Sequence, residues 1–277
     1  MKELTLKELQ AESLKILKDV HAWCVANNVI YSVGYGTLLG AIRHKGFIPW
    51  DDDVDIIMPR EHYMRFCREF KSGKYKLKCP EICKQYYLAF ARVYDVQDTC
   101  TETRVPWHNG ENGVWIDVFP IDCVTDDKLS FEIHKSRLQH KWATTAWGRQ
   151  AKCSFNRAFS LSINAKLLIK KIITFNGLLA RYQLNSFIQS VEVVKVAKSG
   201  HWSQLTCLDG YEWHRIEDFS STMLMPFEDT EVMVMNGYDH VLRECFGDYM
   251  QLPPVEKRVG HSDGFTKFFW KDNYVLL

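Results

Sequence analysis

Four carboxylates fall within five positions at Asp51, Asp52, Asp53 and Asp55, and the next three residues, Ile56-Ile57-Met58, are apolar. Clustered anions repel one another unless water or a cation compensates them. An apolar run that Pro59 stops reads as a short buried strand, placed at residues 54–58. The fold must therefore bring the end of a buried strand to a polar opening. In an extended segment side chains alternate, so Asp51, Asp53 and Asp55 share one face while Asp52 and Val54 share the other. That is the outline of a hard-oxygen cation site. A solvated acidic turn is the commoner fate of such a run, but the extended Ile48-Pro49 step before it and the strand after it argue for the end of a sheet. A calcium-binding helix–loop–helix is excluded, because Ile56 and His62 stand where Gly and Glu are required.

Upstream, Gly34, Gly36 and Gly40 bracket Thr37-Leu38-Leu39, and residues 41–44 continue a helical pattern. Glycine lets backbone approach a ligand closely, and a helix N-terminus offers N–H groups to a phosphate. A glycine turn alone is a weak signal. Followed about fifteen residues later by an Asp-x-Asp strand, it is the arrangement of a nucleotidyltransferase-like site, with the turn on phosphates and the carboxylates on magnesium or manganese.

Around this stretch the chain reads as interleaved helix and sheet. Thr5 and Glu8 form a capping box for an amphipathic helix over residues 6–26 that Asn27-Asn28 ends, with Leu6, Leu9, Leu14, Leu17, Val20 and Cys24 near helical spacing. Strands are predicted at residues 30–33, 75–79 and 86–94, with a helix over 60–70. On an alternating strand near residues 113–122, Trp115, Asp117 and Phe119 share a face; Asp117 there is expensive to bury unless a neighbouring loop or a ligand satisfies it. Asp122 is expected to cap the helix that follows. Two short strands at 223–227 and 231–235 and a helix over 239–245 ended by Gly247 complete the pattern.

With 277 residues and 46% hydrophobic content the chain can bury a full core. A formal net charge of +1 prompts no polyelectrolyte partner, so no nucleic acid is expected. Nine scattered cysteines without a Cys-x-x-Cys pair fit reduced thiols, and Cys79 with Cys83 lacks the second pair a zinc site needs. The N-terminus is no export signal and no apolar run is long enough to span a membrane, which gives a cytoplasmic expectation. The charge is lopsided only from Arg149 to Lys198, where nine Lys or Arg residues face one acid, Glu192. A basic apolar helical segment can lie on an anionic membrane, or it can be a solvated face over an ordinary core.

The stretch from Gly34 to Met58 resembles the signature of the LicD family, whose eukaryotic relatives are fukutin and fukutin-related protein. Further matches are Ile116-Asp117-Val118-Phe119-Pro120-Ile121-Asp122, Met225-Pro226-Phe227-Glu228, Gly237-Tyr238-Asp239 and the segment from Gly247-Asp248-Tyr249 to Leu252-Pro253-Pro254. The resemblance implies an α+β fold, a nucleotidyltransferase-like mixed sheet flanked by helices with a helical insertion. On that reading residues 1–125 are the catalytic core, 126–215 a mainly helical basic insertion, and 216–277 a C-terminal segment completing the core.

The resemblance also implies transfer of a phospho-alcohol from a CDP-linked donor to a hydroxyl of a glycan or lipid-linked glycan, with CMP leaving. Asp53, Asp55 and Asp117 would hold one or two Mg2+ or Mn2+ ions, with Asp51 as an outer or alternative ligand. Gly36, Thr37 and Arg43 would meet phosphate; Arg258 and His261 would line the site from the proline-fixed tail. The base stays open between a metal-facing aspartate, His44 and His261. Phosphocholine is the commonest expectation for bacterial chains of this kind, and Trp50, Trp107, Trp115 and Tyr35 would supply rings for its quaternary ammonium, unless they are core; ribitol phosphate, glycerol phosphate, phosphoethanolamine or an aminoethylphosphonate group would leave the metal chemistry unchanged. A lipid-linked acceptor would make peripheral contact with the inner face of a membrane sensible. A nucleotidyltransferase using ATP or CTP would need the same carboxylates, whereas a non-catalytic binding protein would not need all three.

Overall fold

The computed structural model describes residues 1–83, 86–103, 113–151, 161–206, 213–260 and 266–271. The chain opens with helix α1 (Leu6–Ala26), and both halves of the Thr5–Glu8 capping box are formed. Its inward face is Leu9, Ile16, Leu17, Val20 and Cys24, while Leu6 stays exposed. Strand β1 (Ser32–Val33) leads into α2 (Tyr35–Arg43), and β2 (Asp55–Pro59) leads directly into α3 (Arg60–Glu69). Then follow β3 (Tyr75–Lys78), β4 (Ala91–Asp95), β5 (Thr99–Thr103) and the long β6 (Trp115–Val124). The strand expected over 86–94 is confined to its second half, since the chain enters the ladder only at Ala91.

A helical layer comes next: α4 (Lys128–Ala151), α5 (Leu161–Ile173) and α6 (Ala180–Val194). The chain returns through β7 (His201–Gln204) and β8 (His214–Arg215), makes a hairpin of β9 (Thr222–Phe227) and β10 (Thr230–Met235), and continues into α7 (Tyr238–Phe246). Gly247 ends α7 with φ 64°, in the left-handed region that glycine accepts readily. Strand β11 (Thr266–Trp270) pairs with β5 in a separate two-stranded sheet.

The main sheet runs β1-β2-β6-β4-β3, with β7 and β8 continuing from β6. The β2–β6 pair is parallel and the other pairs are antiparallel, so the fold is α+β with a mixed sheet. Its position makes β6 the axis of the molecule. One edge pairs with β2; the other pairs with β4 along its first half and with β7 along its second. The principal core gathers α1, the sheet, α2, the β9–β10 hairpin and α7. A second, smaller core under α4 and α6 centres on Phe131, Leu138, Leu184 and Phe187.

Asp122 does not cap α4. It is buried on β6, where Arg60 donates Nε–H and Nη2–H to its two oxygens at 2.9 and 2.6 Å and the Lys195 ammonium stands 3.4 Å away. Asp127 does the capping instead, accepting the amides of Leu129 and Ser130.

Candidate active site

The register of the sheet builds the site. Asp55 on β2 lies opposite Asp117 on β6, and Asp117 lies opposite Arg92 on β4. Residues in register on adjacent strands project to the same face, about 5 Å apart. Two carboxylates and a guanidinium thus form one row across three strands. Arg92 donates to both Asp117 oxygens, Nη2 to Oδ2 at 3.3 Å, with the Nε–Oδ1 contact shorter still. Burial works against the Arg92 charge, but Asp117 and the phenols of Tyr94 and Tyr86 outweigh it and keep the group cationic.

Three braces hold the acidic segment against this row. The Thr37 hydroxyl accepts the Asp55 amide at 2.9 Å, the Asp117 amide bonds the Val54 carbonyl at 2.8 Å, and Gln10 on α1 donates to the Asp51 carbonyl at 2.8 Å. Gly36 lets the backbone come close to Asp51: a Cβ there would lie 2.7 Å from its carboxylate, which would have to shift. Tyr35, which opens α2, adopts φ 48°, a left-handed backbone that costs a bulky side chain about 1 kcal/mol. That strain sits directly beside the carboxylates.

Asp51, Asp53, Asp55 and Asp117 border one open cavity of about 1100 Å³, together with Arg92, Gly36 and Arg43. Asp52 is not part of that wall, but residues 51–54 are irregular rather than strand, and its carboxylate lies within 4.8 Å of those of Asp51 and Asp53, so strand alternation does not arrange this segment. The Asp55 carboxyl is pushed well above the ordinary carboxylate range, first by burial and then by the charges of Asp53, Asp117 and Asp51; Arg92 opposes the shift. Asp117 is raised too, by burial that its pairing with Arg92 only partly offsets.

Another part of the wall is cationic. Arg43 donates to the Tyr249 and Gln251 carbonyls at 2.7 and 3.2 Å, and its pKa is drawn down by burial and by the nearby charge of Arg258. The proline-fixed tail contributes Leu252, Pro253, Pro254, Lys257 and Val259 to the cavity wall. Arg258 itself donates Nε–H to the Pro253 carbonyl and places its guanidinium 5.5 Å from the Trp50 ring centre.

Several expected placements differ. Thr37 is buried, and its hydroxyl serves the Asp55 amide rather than bordering the cavity. Trp115 lies behind the site, with the Arg92 guanidinium 4.3 Å from its ring centre and Phe268 packed against it. It cannot offer that face to a ligand cation as well. His44 stands beside Arg43 and Trp50 rather than at the wall; burial and the Arg43 charge lower its pKa, so its ring is neutral at pH 7. His261 and Trp107 lie outside the described residues.

Arg92 and Glu244 carried no signal in the local sequence pattern, whereas Glu228 ends the Met-Pro-Phe-Glu match and Lys257 lies in the proline-fixed tail. Glu228 accepts the Phe47 amide at 2.8 Å, so the Met-Pro-Phe-Glu motif braces the loop between α2 and the aspartates. Glu244 borders the cavity from α7, with one oxygen 2.7 Å from His214 Nδ1 and the other 3.6 Å from His240 Nε2.

A family model described as LicD/FKTN/FKRP, nucleotidyltransferase domain, matches residues 28–160, the span that holds α2, the aspartates and β6. Over 272 residues the chain is 31% identical to the lipopolysaccharide cholinephosphotransferase LicD of Haemophilus influenzae, covering 94% of this chain and 97% of that one. The chain belongs to the LicD family. A shorter match, 37% identical over 100 residues, covers 35% of this chain and 31% of an uncharacterized protein of Rickettsia typhi. Because the LicD match with the Haemophilus protein runs nearly end to end, it takes in the β9–β10 hairpin, α7 and the tail, which supply Glu228, Glu244 and Lys257.

Proposed function

We propose that the protein transfers phosphocholine from CDP-choline to a hydroxyl of a cell-surface glycan or its lipid-linked precursor, releasing CMP. The observation that carries this reading is the in-register row Asp55–Asp117–Arg92 at the wall of a cavity that also holds Arg43 and Lys257, in a chain aligned end to end with a cholinephosphotransferase.

The acidic wall fits a divalent cation. Its side chains offer only oxygen, which suits magnesium or manganese, and Asp55, raised first by burial and then by the neighbouring carboxylates, is a group whose charged form such an ion would favour. Asp53, Asp55 and Asp117 would hold it, with Asp51 as outer ligand. When bound, it would neutralise charge on the donor diphosphate and on the departing CMP. The chain's own groups do the rest. Arg43 and Lys257 draw the diphosphate into the cationic part of the wall, and the first-turn amides of α2 near Gly36 favour a phosphate oxygen. Arg92 holds Asp117 in the orientation that faces Asp55. Asp53, half-buried and outside the sheet register, would take the proton of the attacking hydroxyl.

Tyr35, Phe90, Phe119, Trp50 and Tyr249 give the cavity an aromatic lining, and Glu244 adds a carboxylate. Rings plus one anion are the chemistry that holds a quaternary ammonium. Calorimetric titration of CDP-choline, CDP-ribitol, CDP-glycerol and ATP, with and without Mg2+, tests the reading. Mg2+-dependent binding of CDP-choline, abolished by Asp53→Ala, is expected. Binding of ATP alone would replace phospho-alcohol transfer with nucleotidyl transfer, which mass analysis of the acceptor would then show as added nucleotide.

A further inference from the structure

Between Glu132 and Glu192 the chain carries no Asp or Glu. Helix α5 lies within that stretch, and among its described side chains Leu167 is buried, whereas Leu161, Leu168, Ile169, Ile172 and Ile173 are between 49% and 91% exposed. At about 100° per residue the five exposed side chains fall within an arc of about 140°, with Lys166 and Lys170 along one edge and Lys171 along the other. The turn that follows extends the same apolar surface, with Phe175 67% and Leu178 80% exposed. That turn is a built one. Phe175, Asn176 and Gly177 take left-handed backbone at φ 50°, 56° and 76°, the Thr174 hydroxyl accepts the Gly177 amide, and Lys171 donates to the Asn176 side chain.

An apolar stripe of this size in contact with water calls for an occupant. A second copy docked face to face would set the flanking lysines against one another. A bilayer with anionic headgroups satisfies both halves of the pattern, since acyl chains receive the Leu, Ile and Phe side chains while the headgroups meet the lysines. We infer that α5 and the turn after it form a docking face for an anionic membrane surface. The inference is independent of the transfer chemistry.

Flotation of the purified full chain with vesicles tests it. Phosphatidylcholine vesicles are compared with vesicles carrying about 30% phosphatidylglycerol, at low and high salt. The wild type floats with the anionic vesicles at low salt, and both Ile172→Asp/Phe175→Asp and Lys166→Glu/Lys170→Glu/Lys171→Glu reduce the bound fraction about tenfold or more. Because the altered side chains are largely outside the core, near-UV circular dichroism of at least one variant matches the wild type. Absence of flotation by the wild type, or flotation that neither variant changes, overturns the proposal. So does a wild-type dimer in light scattering that Ile172→Asp/Phe175→Asp converts to monomer.

Discussion

Asp55 is the residue at which stability and activity pull apart. Its folded pKa lies above the unfolded value of about 3.9. In metal-free protein, ionising Asp55 therefore works against folding: the penalty is absent at low pH, appears as pH rises past the unfolded value, and grows until the folded pKa is reached. Asp55→Asn removes it. In EDTA at pH 7 the variant should melt higher than wild type, by about 2–4 °C for each kcal/mol relieved, and the two should converge toward pH 4. Adding Mg2+ should raise the wild-type melting temperature and leave the variant unmoved, because only an occupied site gains from ligand. Equal melting curves in EDTA from pH 4 to 8 would show that the carboxylates are not crowded. At Glu244 the expected effect is on selectivity: Glu244→Gln should cut kcat/KM for CDP-choline about tenfold or more while leaving a neutral CDP-alcohol within about threefold, the loss of one favourable ionic contact. Equal losses on both donors would mean that Glu244 only supports α7.

At the scale of elements, what was legible was local. The Thr5–Glu8 box, the end of α3, the Gly247 stop and the β9–β10 hairpin are each written in residues a few positions apart, and each stands close to where the pattern placed it. The aspartate alternation does not: residues 51–54 are irregular, and the Asp52 carboxylate comes within 4.8 Å of those of Asp51 and Asp53 instead of turning away. Arg92 was invisible because its meaning comes from register: β4 meets β6 only after a gap in sequence, and nothing near Arg92 announces that it will lie opposite Asp117. Strands β5 and β11 escaped for the same reason, as partners separated by most of the chain. Trp115 was misplaced because an alternating strand says which face a ring takes but not which cation already covers it. Thr37 illustrates the cost of such hidden roles. Thr37→Val keeps the shape but leaves the Asp55 amide without its acceptor, which should cost about 1–3 kcal/mol and weaken Mg2+ binding, with Thr37→Ser restoring both. Unchanged melting with a raised KM for the donor alone would instead place the hydroxyl on phosphate.

Across the whole molecule, a buried anion helps to tie the main sheet to the helical layer. Asp122 sits on β6, only 2% of its side chain is exposed, and its cations come from the start of α3 and the end of α6. The strand that carries Asp117 toward the cavity is thus tied, five residues on, to the layer that bears the exposed apolar face. Breaking a buried pair from one side leaves a charge without adequate partners, a loss of about 3–5 kcal/mol, whereas removing both charges returns much of it. Arg60→Met should therefore lower stability by about 3–5 kcal/mol in urea unfolding, and Arg60→Met/Asp122→Asn by clearly less, a non-additivity that a double-mutant cycle reads directly. The double variant should keep its Mg2+ affinity, since Asp53, Asp55 and Asp117 are untouched. If its vesicle binding also survives, the tie serves folding alone. Additive losses in the cycle would mean that Lys195 suffices for Asp122 and that the two layers cohere through their hydrophobic cores.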